Sequence, residues 1–353
     1  MHYHYNIIAY NLVFKKPAKT SRNSFTDKTV YFLKLYNLKD PKVFGIGEAA
    51  PLALLSIDDL SNFREVFNTI VEQFCETGHL EHLWSLQYPA MFFAIETALN
   101  DLKNGGKRII YPAALNNQIV KIKINGLVWM NETSAMLEEA FELVEKGYDC
   151  IKFKVGALDF DAECRMLEKF RKRYNAGNFM LRLDANGAFH PNEVKEQLRA
   201  LKKYSVHSIE QPLKPEFIEE LAQLSNSRII DIAVDESLIG VGDKQNKIQL
   251  LRNITPQYLV LKPTLVGGLA QTQEWIDIGQ QLQIGNWITS ALESNIGLNA
   301  IAQFAAKQPQ IEHGYQGLGT GSLYENNITS PWIAEAGFLT YCDDKKWDLS
   351  LFD

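Results

Sequence analysis

The sequence lacks several features that mark particular classes of protein. No apolar run approaches the ~20 residues that are needed to span a bilayer, and the N-terminus has neither the basic start nor the apolar core of a secretory signal. With 36 basic and 42 acidic residues, the net charge of -6 argues against a nucleic-acid-binding surface. We therefore expect a protein that binds neither membranes nor nucleic acids.

Cysteine is scarce, and histidine shows no ligand pattern. The four cysteines have no CxxC spacing, and a chain of 353 residues does not need disulfides to hold a core. We interpret them as reduced thiols of a cytoplasmic protein. The seven histidines lack metal-binding spacing, and Gly317–Gly321 lacks both the GxGxxG pattern and a Walker A lysine. Histidine-ligated metals and nucleotides are both disfavoured.

Two patterns divide the chain. Residues 1–115 contain a strand candidate at Val30–Tyr36, a glycine- and proline-marked loop at Gly45–Leu52, and two helical segments, which indicate an α+β domain. Residues 116–330 alternate short apolar strands with helices, which fits a parallel (β/α)7β barrel of the TIM type better than an open sheet. Residues 331–353 are expected to leave the barrel and return toward the N-terminal domain.

Polar residues end the apolar runs of the barrel region at nearly even intervals. The barrel strands are predicted at Lys121–Asn125, Cys150–Val155, Met180–Asp184, Ser208–Glu210, Ile232–Asp235, Tyr258–Lys262, Ile284–Thr289 and Ile311–His313. The polar residues are Lys154, Asp184, Glu210, Asp235, Lys262 and Ser290, at steps of 30, 26, 25, 27 and 28 residues. Each step is one strand plus one helix, so these side chains are expected at the strand ends where barrel active sites lie.

Three of these residues are acids on consecutive strands. Asp184, Glu210 and Asp235 would point into one small volume, where carboxylates repel each other unless a cation compensates their charge. Oxygen ligands without histidine or cysteine favour Mg²⁺ over zinc, with Mn²⁺ as a possible substitute. We therefore expect a magnesium site, although any one acid alone would more often be a loop cap or a surface ion pair.

Lysines flank the acids on both sides. Lys152 and Lys154 are two apart on one strand and point the same way, so repulsion between their ammonium groups would make a neutral lysine base accessible. Lys262 lies beyond the acids and could act on the opposite face of a bound substrate. The alternative, a strand with its lysines in water, is disfavoured because helices would cover both sides of it.

Other polar residues are candidates for substrate contacts. Arg182 shares the inward direction of Asp184 and could hold a substrate carboxylate, or it could be a structural partner of the acids. Asn186 and Ser290 could donate hydrogen bonds at the barrel mouth, although lone polar residues at such positions are more often loop caps.

These motifs resemble the enolase superfamily, specifically its muconate-lactonizing subgroup. The resemblance is carried by Lys152-Phe-Lys154, Asp184-Ala-Asn186, Glu210-Gln-Pro, Asp235-Glu-Ser, Lys262-Pro and Ser290-Ala-Leu-Glu-Ser, and Gly45–Leu52 is similar to the capping-domain loop of that superfamily. It implies a barrel with an N-terminal capping domain, a lysine base and Mg²⁺ that stabilises an enediolate.

Three sequence differences distinguish this chain from other branches of the superfamily. Ser290 stands where the mandelate-racemase branch has a histidine, enolase lacks the paired lysines, and Gly319-Thr-Gly321 stands where dipeptide epimerases carry Asp-x-Asp. The chain is most similar to the o-succinylbenzoate synthase family of menaquinone biosynthesis. The resemblance implies a carbon–oxygen lyase acting on a small carboxylate, 2-succinyl-6-hydroxy-2,4-cyclohexadiene-1-carboxylate. It also implies that Lys154 transfers the proton, that Lys262 lies on the opposite face of the substrate, and that Gly319 is among the substrate contacts.

Three alternatives stay open. A racemase of N-acylamino acids would use Lys154 and Lys262 as an acid–base pair on two faces, and a muconate-type cycloisomerase belongs to the same subgroup. A more distant possibility is a non-catalytic barrel that keeps a metal for stability. In the synthase interpretation, the loops near Arg22–Phe25 and Pro51–Leu55 are expected to close over the substrate. No pattern indicates an oligomeric state.

Overall fold

The structure is a computed structural model that describes residues 3–19, 24–115, 120–309 and 314–353. Its N-terminal part, called the cap below, begins with an antiparallel sheet of three strands, β1 (His4–Lys19), β2 (Ser24–Asn37) and β3 (Asp40–Ala49). Four helices follow: α1 (Phe63–Thr77), α2 (His82–Gln87), α3 (Pro89–Lys103) and α4 (Pro112–Leu115). The cap thus has the predicted α+β composition.

The central strand of the cap, β2, sends its side chains into two different cores. Leu33 and Leu35 pack with α1 and α3, whereas Val30 and Phe32 pack with residues of the barrel and the C-terminal segment. All four side chains are fully buried. Because successive strand residues point to opposite faces, the cap sheet lies between its own helices and the barrel.

The prediction of a loop at Gly45–Leu52 is wrong in its first half, because Gly45–Ala49 is the end of β3. The two glycines of this segment allow helix α3 to pack directly on the strand. A Cβ atom on Gly47 would lie 1.9 Å from the backbone oxygen of Ala94. These glycines therefore mark a close approach of two backbones and not a turn.

Within the described residues, seven parallel strands follow each other in sequence order around the barrel. They are β5 (Gly126–Val128), β6 (Cys150–Lys154), β7 (Met180–Asp184), β8 (Ser208–Glu210), β9 (Asp231–Val234), β10 (Tyr258–Leu261) and β11 (Gly285–Ile288). The barrel helices are α5 (Thr133–Glu145), α6 (Phe160–Arg173), α7 (Val194–Lys202), α8 (Ile218–Ser227), α9 (Lys244–Ile254), α10 (Gly268–Gln281) and α11 (Asn295–Ala306).

Residues 316 and 317 close the barrel. Gly317 forms a parallel bridge with Thr289 beside β11, and Gln316 forms one with Ile124 ahead of β5. The predicted capped (β/α)7β barrel is therefore confirmed, with a short bridge segment in the eighth strand position. The strand predicted at Ile311–His313 lies outside the described residues.

The prediction of the first barrel strand at Lys121–Asn125 is wrong, because the structure has that strand at Gly126–Val128. Residues Lys121–Lys123 form β4 instead, which pairs antiparallel with β13 (Phe338–Tyr341), and β13 in turn pairs with β12 (Trp332–Glu335). The C-terminal segment thus first joins the start of the barrel region. Its end meets the cap, where the ring of Phe352 lies 5.3 Å from that of Phe32.

In the part of the chain that the structure describes, no helix combines the length and the apolar character needed to cross a membrane. All four cysteines lie within this part, and each is a free thiol.

Candidate active site

Five of the predicted site residues lie together at the carboxyl ends of the barrel strands. The strand register places Lys154 opposite Asp184, and Asp184 opposite Glu210. Asp235 directly follows β9, and Lys262 directly follows β10. Because parallel strands of a barrel end at one face, the side chains meet there.

Two lysines hold two of the acids through buried ion pairs. The Asp184 carboxylate accepts hydrogen bonds from Lys152 Nζ at 3.0 Å and from Lys154 Nζ at 2.6 Å. The Glu210 carboxylate accepts one from Lys152 Nζ at 2.8 Å. Lys152 and Lys154 are 6% and 7% exposed, so water screens these pairs little.

Electrostatics at these pairs differ from the sequence-based expectation. Burial lowers the pKa of Lys152, but the carboxylates of Asp184 and Glu210 raise it by more, so that it ends above its usual value. The expectation that the paired lysines favour a neutral amine is therefore wrong for Lys152. Burial raises the pKa of Asp184, yet the ammonium groups of Lys152 and Lys154 lower it by more and keep this carboxylate ionised.

The third acid is held in the same way on the far side of the site. Asp235 forms a buried ion pair with Lys262. Burial lowers the pKa of Lys262, and the charges of Asp235 and Glu210 raise it by more. Lys154 and Lys262 thus form ion pairs with the acids at opposite ends of the row, as the strand order predicts.

The three acids fit a divalent cation by the chemistry of their donor atoms. Carboxylate oxygens are the ligands that Mg²⁺ prefers. Glu210 Oε1 is buried and has no hydrogen-bond donor among the described residues. Burial and the charge of Asp184 raise the pKa of Glu210, and a nearby cation would act in the opposite direction by stabilising its ionised form.

The acids are not grouped around a common point in this structure. Among the described residues, no three acid, histidine or cysteine side chains are arranged as they would be around an ion. The physical reason is that Asp184, Glu210 and Asp235 each direct an oxygen to a lysine. These three acids are the residues that could hold a metal once those oxygens turn toward it.

Arg182 lies apart from the row of acids. Its guanidinium is 4.0 Å from the centre of the Trp287 ring, and its Nη1 donates to the backbone oxygen of Tyr315 at 2.9 Å. It stands two residues before Asp184, so it points inward one layer deeper in the barrel. Its contacts are thus with Trp287 and the backbone of Tyr315, not with the acids that the structural alternative named as its partners.

The remaining predicted contact residues line the cavity above the acids, but their polar atoms are already engaged. The Ser290 hydroxyl donates to the carboxylate of Glu293 and accepts from Thr320 Oγ1 at 2.8 Å. Asn186 accepts from Lys154 Nζ at 2.8 Å. Gly319 contributes backbone only. In this structure Ser290 therefore has no hydroxyl proton to offer a substrate.

The cavity has a volume of about 440 Å³ and lies between the barrel mouth and the cap. Its floor includes Lys152, Lys154, Asp184, Asn186, Lys262 and Ser290, and its cap wall includes Phe14, Lys15, Lys16, Phe25, Leu52 and Leu55. Leu52 and Leu55 belong to one of the two loops predicted to cover the substrate. In the other predicted loop, Phe25 lies in strand β2, and Arg22 lies outside the described residues. Lys15 and Lys16 were not among the predicted site residues; they lie where the pairing of β1 with β2 is interrupted, between Val13 and Ala18.

Buried polar contacts that the sequence does not indicate join the cap to the barrel. Lys28 Nζ donates to the backbone oxygen of Ala291 at 2.8 Å. The Glu48 carboxylate accepts from Ser294 N at 2.8 Å, Ser294 Oγ at 2.5 Å and Gly297 N at 2.7 Å, at the start of α11. An acid within an apolar segment is the one signal that could have drawn attention to Glu48.

Comparison with known proteins assigns the family. Residues 135–345 match the family model described as enolase C-terminal domain-like. A curated o-succinylbenzoate synthase from Desulfotalea psychrophila is 36% identical over 368 aligned positions, which cover 93% of this chain and 96% of the relative. The chain belongs to the o-succinylbenzoate synthase family of the enolase superfamily.

Solved structures of the superfamily share this fold. The crystal structure of MenC from Desulfotalea psychrophila is 32% identical, with a TM-score of 0.79 over 96% of this chain and 99% of that one. A dipeptide epimerase from Enterococcus faecalis, complexed with Mg and the dipeptide L-Leu-L-Tyr, is 22% identical, with a TM-score of 0.82 over 96% of this chain and 97% of that one. The epimerase shows that a capped barrel of this shape also supports other chemistry in the superfamily.

Proposed function

We propose that the protein is a Mg²⁺-dependent carbon–oxygen lyase that converts 2-succinyl-6-hydroxy-2,4-cyclohexadiene-1-carboxylate to o-succinylbenzoate in menaquinone biosynthesis. The observation that carries the proposal is the position of Lys154. Its amine lies 2.6 Å from the carboxylate of Asp184, at the floor of a cavity that the cap covers. The 36% identity to a curated o-succinylbenzoate synthase supports the same substrate.

Proton transfer is the step that these residues would perform. Mg²⁺ bound by Asp184, Glu210 and Asp235 would supply positive charge that stabilises the enediolate of the substrate carboxylate. Lys154, as a neutral amine, would take the proton from the carbon next to that carboxylate, and the electron pair of the C–H bond would pass toward the carboxylate. Lys262 would add positive charge from the opposite side.

Loss of water completes the reaction. The ammonium of Lys154 would return its proton to the departing hydroxyl on the same face as the C–O bond breaks. The electron pair of the enediolate then forms the new ring double bond, the ring becomes aromatic, and one water molecule leaves. Because the aromatic product is strongly favoured, the barrier lies mainly in proton removal, where lysine and metal act.

The cap would position the flexible succinyl arm. We assign it to residues 1–115 with the segment 331–353 returning toward it, and the barrel to residues 116–330. Apolar side chains of Leu52 and Leu55 line the cap wall of the cavity beside the ammonium groups of Lys15 and Lys16. Such a wall suits an arm that ends in a second carboxylate and would exclude water from the enediolate. The free thiols agree with a cytoplasmic location.

The experiment that tests this function is a spectrophotometric assay with the purified protein, Mg²⁺ and the cyclohexadiene substrate. We expect loss of the diene absorbance with formation of o-succinylbenzoate, and loss of activity in EDTA that Mg²⁺ or Mn²⁺ restores. No turnover of the diene at saturating Mg²⁺ would contradict the proposal. Full activity in EDTA would contradict the metal dependence. A melting temperature that EDTA does not change would also argue against a metal kept only for stability.

A racemase of N-acylamino acids is the second candidate, because Lys154 and Lys262 lie at opposite ends of the row of acids. Racemisation needs both lysines, whereas elimination on one face needs one lysine base. Exchange of the α-hydrogen of N-acylamino acids with deuterated solvent would reveal the racemase. Retained dehydration by Lys262→Arg would favour the lyase.

A further inference from the structure

Glu236 follows the last acid of the site in sequence, and the chemistry described above assigns it no part. In the structure it belongs to a row of buried polar groups. Lys154 Nζ donates to Asn186 Oδ1 at 2.8 Å, and Asn186 Nδ2 donates to Glu236 Oε1 at 3.0 Å. Asn186 is 6% exposed and Glu236 is 5% exposed. The row therefore connects the catalytic amine to a carboxylate beyond it.

The carboxylate determines how the amide in the middle is oriented. An ionised carboxylate only accepts hydrogen bonds, so the NH₂ group of Asn186 must face Glu236. The amide oxygen of Asn186 then necessarily faces Lys154. In the reverse orientation, two oxygens would meet at Glu236 and N–H groups would meet at Lys154. The contact at Glu236 would be repulsive in a buried site, and the N–H groups at Lys154 would repel its ammonium form or occupy the lone pair of its neutral form.

The backbone also constrains Asn186. Its φ is 47°, in the left-handed region, and its N–H donates to Asp184 Oδ1 at 3.1 Å. Asparagine is one of the few residues that tolerate this conformation. The backbone thus places the amide next to Lys154, while rotation of the amide about its last bond is fixed by its partners Lys154 and Glu236.

Glu236 is connected to Lys154 through Asn186, and its charge also acts on Lys262, whose pKa it raises. It lines a second cavity of about 520 Å³, which Lys214 and Glu216 also line. It is not among the described residues that line the cavity above the acids, whereas Asn186 lines both cavities. A direct contact between Glu236 and the substrate is therefore not part of its role.

We propose that Glu236 is a positioning residue that, through Asn186, orients the amine of Lys154 for proton transfer. The proposal rests on the proposed function, in which Lys154 is the base. A neutral amine has two N–H groups and one lone pair. An N–H group held by Asn186 Oδ1 restricts the directions in which the lone pair can point, and proton transfer requires that it point at the substrate hydrogen.

Kinetics of three variants test this role. Glu236→Leu should lower kcat about 10- to 100-fold, as the loss of supporting contacts commonly does, while KM for the diene and the affinity for Mg²⁺ stay near wild type. Glu236→Gln retains an oxygen that can accept from Asn186 Nδ2 and should recover most of kcat. Glu216→Leu is the matched control, because it removes an exposed carboxylate from the same second cavity, and it should have wild-type kcat.

Crystal structures without metal give a readout that does not depend on activity. In Glu236→Leu we expect the distance from Lys154 Nζ to Asn186 Oδ1 to exceed 3.5 Å, and in Glu236→Gln we expect it to stay near the 2.8 Å of the native chain. A Glu236→Leu variant with unchanged kcat and an unchanged distance would overturn the proposal. A joint loss of kcat, Mg²⁺ binding and melting temperature without rescue by glutamine would also overturn it, because that pattern indicates a merely structural residue.

The two proposals can fail separately. If the wild-type protein does not dehydrate the diene, the proposed function is wrong, and the crystal structures still decide whether Glu236 orients Asn186 and Lys154. If the wild-type protein is active but the Glu236 variants behave like Glu216→Leu, the function stands and the positioning role is wrong.

Discussion

Replacement of Glu48 should show how strongly the cap is attached to the barrel. Glu48 is fully buried at the end of β3, and both of its carboxylate oxygens accept hydrogen bonds from the start of α11. In Glu48→Gln, one oxygen becomes an NH₂ group. The hydroxyl of Ser294 can turn and accept from that group, but the N–H of Gly297 cannot, and it would lose its acceptor.

The expected cost follows from these contacts. A buried donor left without an acceptor costs about 1–3 kcal/mol. Burial raises the pKa of Glu48 to about 7, so near pH 5 its side chain is neutral in the native state, and the change to glutamine removes no buried charge there. The free energy of unfolding at this pH should therefore fall by about 1–3 kcal/mol. An unfolding entropy of about 2.1 cal/mol/K per residue over 353 residues makes each kcal/mol worth about 1.4 °C, so the melting temperature should fall by about 1.5–4 °C.

Thermal unfolding followed by circular dichroism at pH 5 measures this change. Glu72→Gln is the control, since Glu72 is an exposed acid on helix α1 of the same domain and lies away from its first turn, and its melting temperature should match that of the wild type. If Glu48→Gln unfolds within 1 °C of the control, the contacts at the start of α11 do not contribute as argued.

Three further variants test other parts of the structure. Glu210→Gln should weaken Mg²⁺ binding in titration calorimetry, and an unchanged affinity would remove Glu210 from the metal ligands. Arg182→Met should lower the melting temperature but leave KM for the diene unchanged, and a selective rise in KM would restore its predicted contact with substrate. Burial raises the pKa of Asp58 to about 7, whereas in the unfolded chain this carboxyl loses its proton above about pH 4. Because the native state keeps the proton and the unfolded state does not, the free energy of unfolding falls as pH rises from about 4 to about 7. Asp58→Asn keeps an acceptor for the N–H groups of Ala90 and Met91. Its stability relative to wild type should therefore be greater at pH 8 than at pH 5, by up to about 2–3 kcal/mol, and an equal difference at both pH values in thermal melts would contradict this.

The barrel strands and the acids at their ends could be predicted because both depend on local sequence. The strands Met180–Asp184 and Ser208–Glu210 have the predicted bounds. In each, apolar residues fill a buried strand, and an acid ends it at the face where barrel loops gather. This pattern recurs along the sequence because every strand–helix unit needs a buried apolar strand that ends at the same face of the barrel.

The depth at which a side chain lies in the barrel, and its contacts with residues far away in sequence, could not be predicted in the same way. Arg182 has the inward direction that its spacing from Asp184 implies, but alternation along a strand says nothing about how far a side chain lies from the barrel mouth. The partner of Glu48 is Ser294, 246 residues away, and no local pattern joins the two. Lys152 and Lys154 repel each other as predicted in principle, but the acids on neighbouring strands have the larger effect on Lys152.

The central claim is that Lys154 is the base of a Mg²⁺-dependent dehydration. Its most direct test compares wild type and Lys154→Ala in the diene assay at saturating Mg²⁺, with Mg²⁺ affinity measured on the same preparations. We predict that the variant binds Mg²⁺ like wild type and loses about 10²- to 10⁴-fold in kcat, the usual contribution of a general base. Turnover by Lys154→Ala near the wild-type rate would contradict the account.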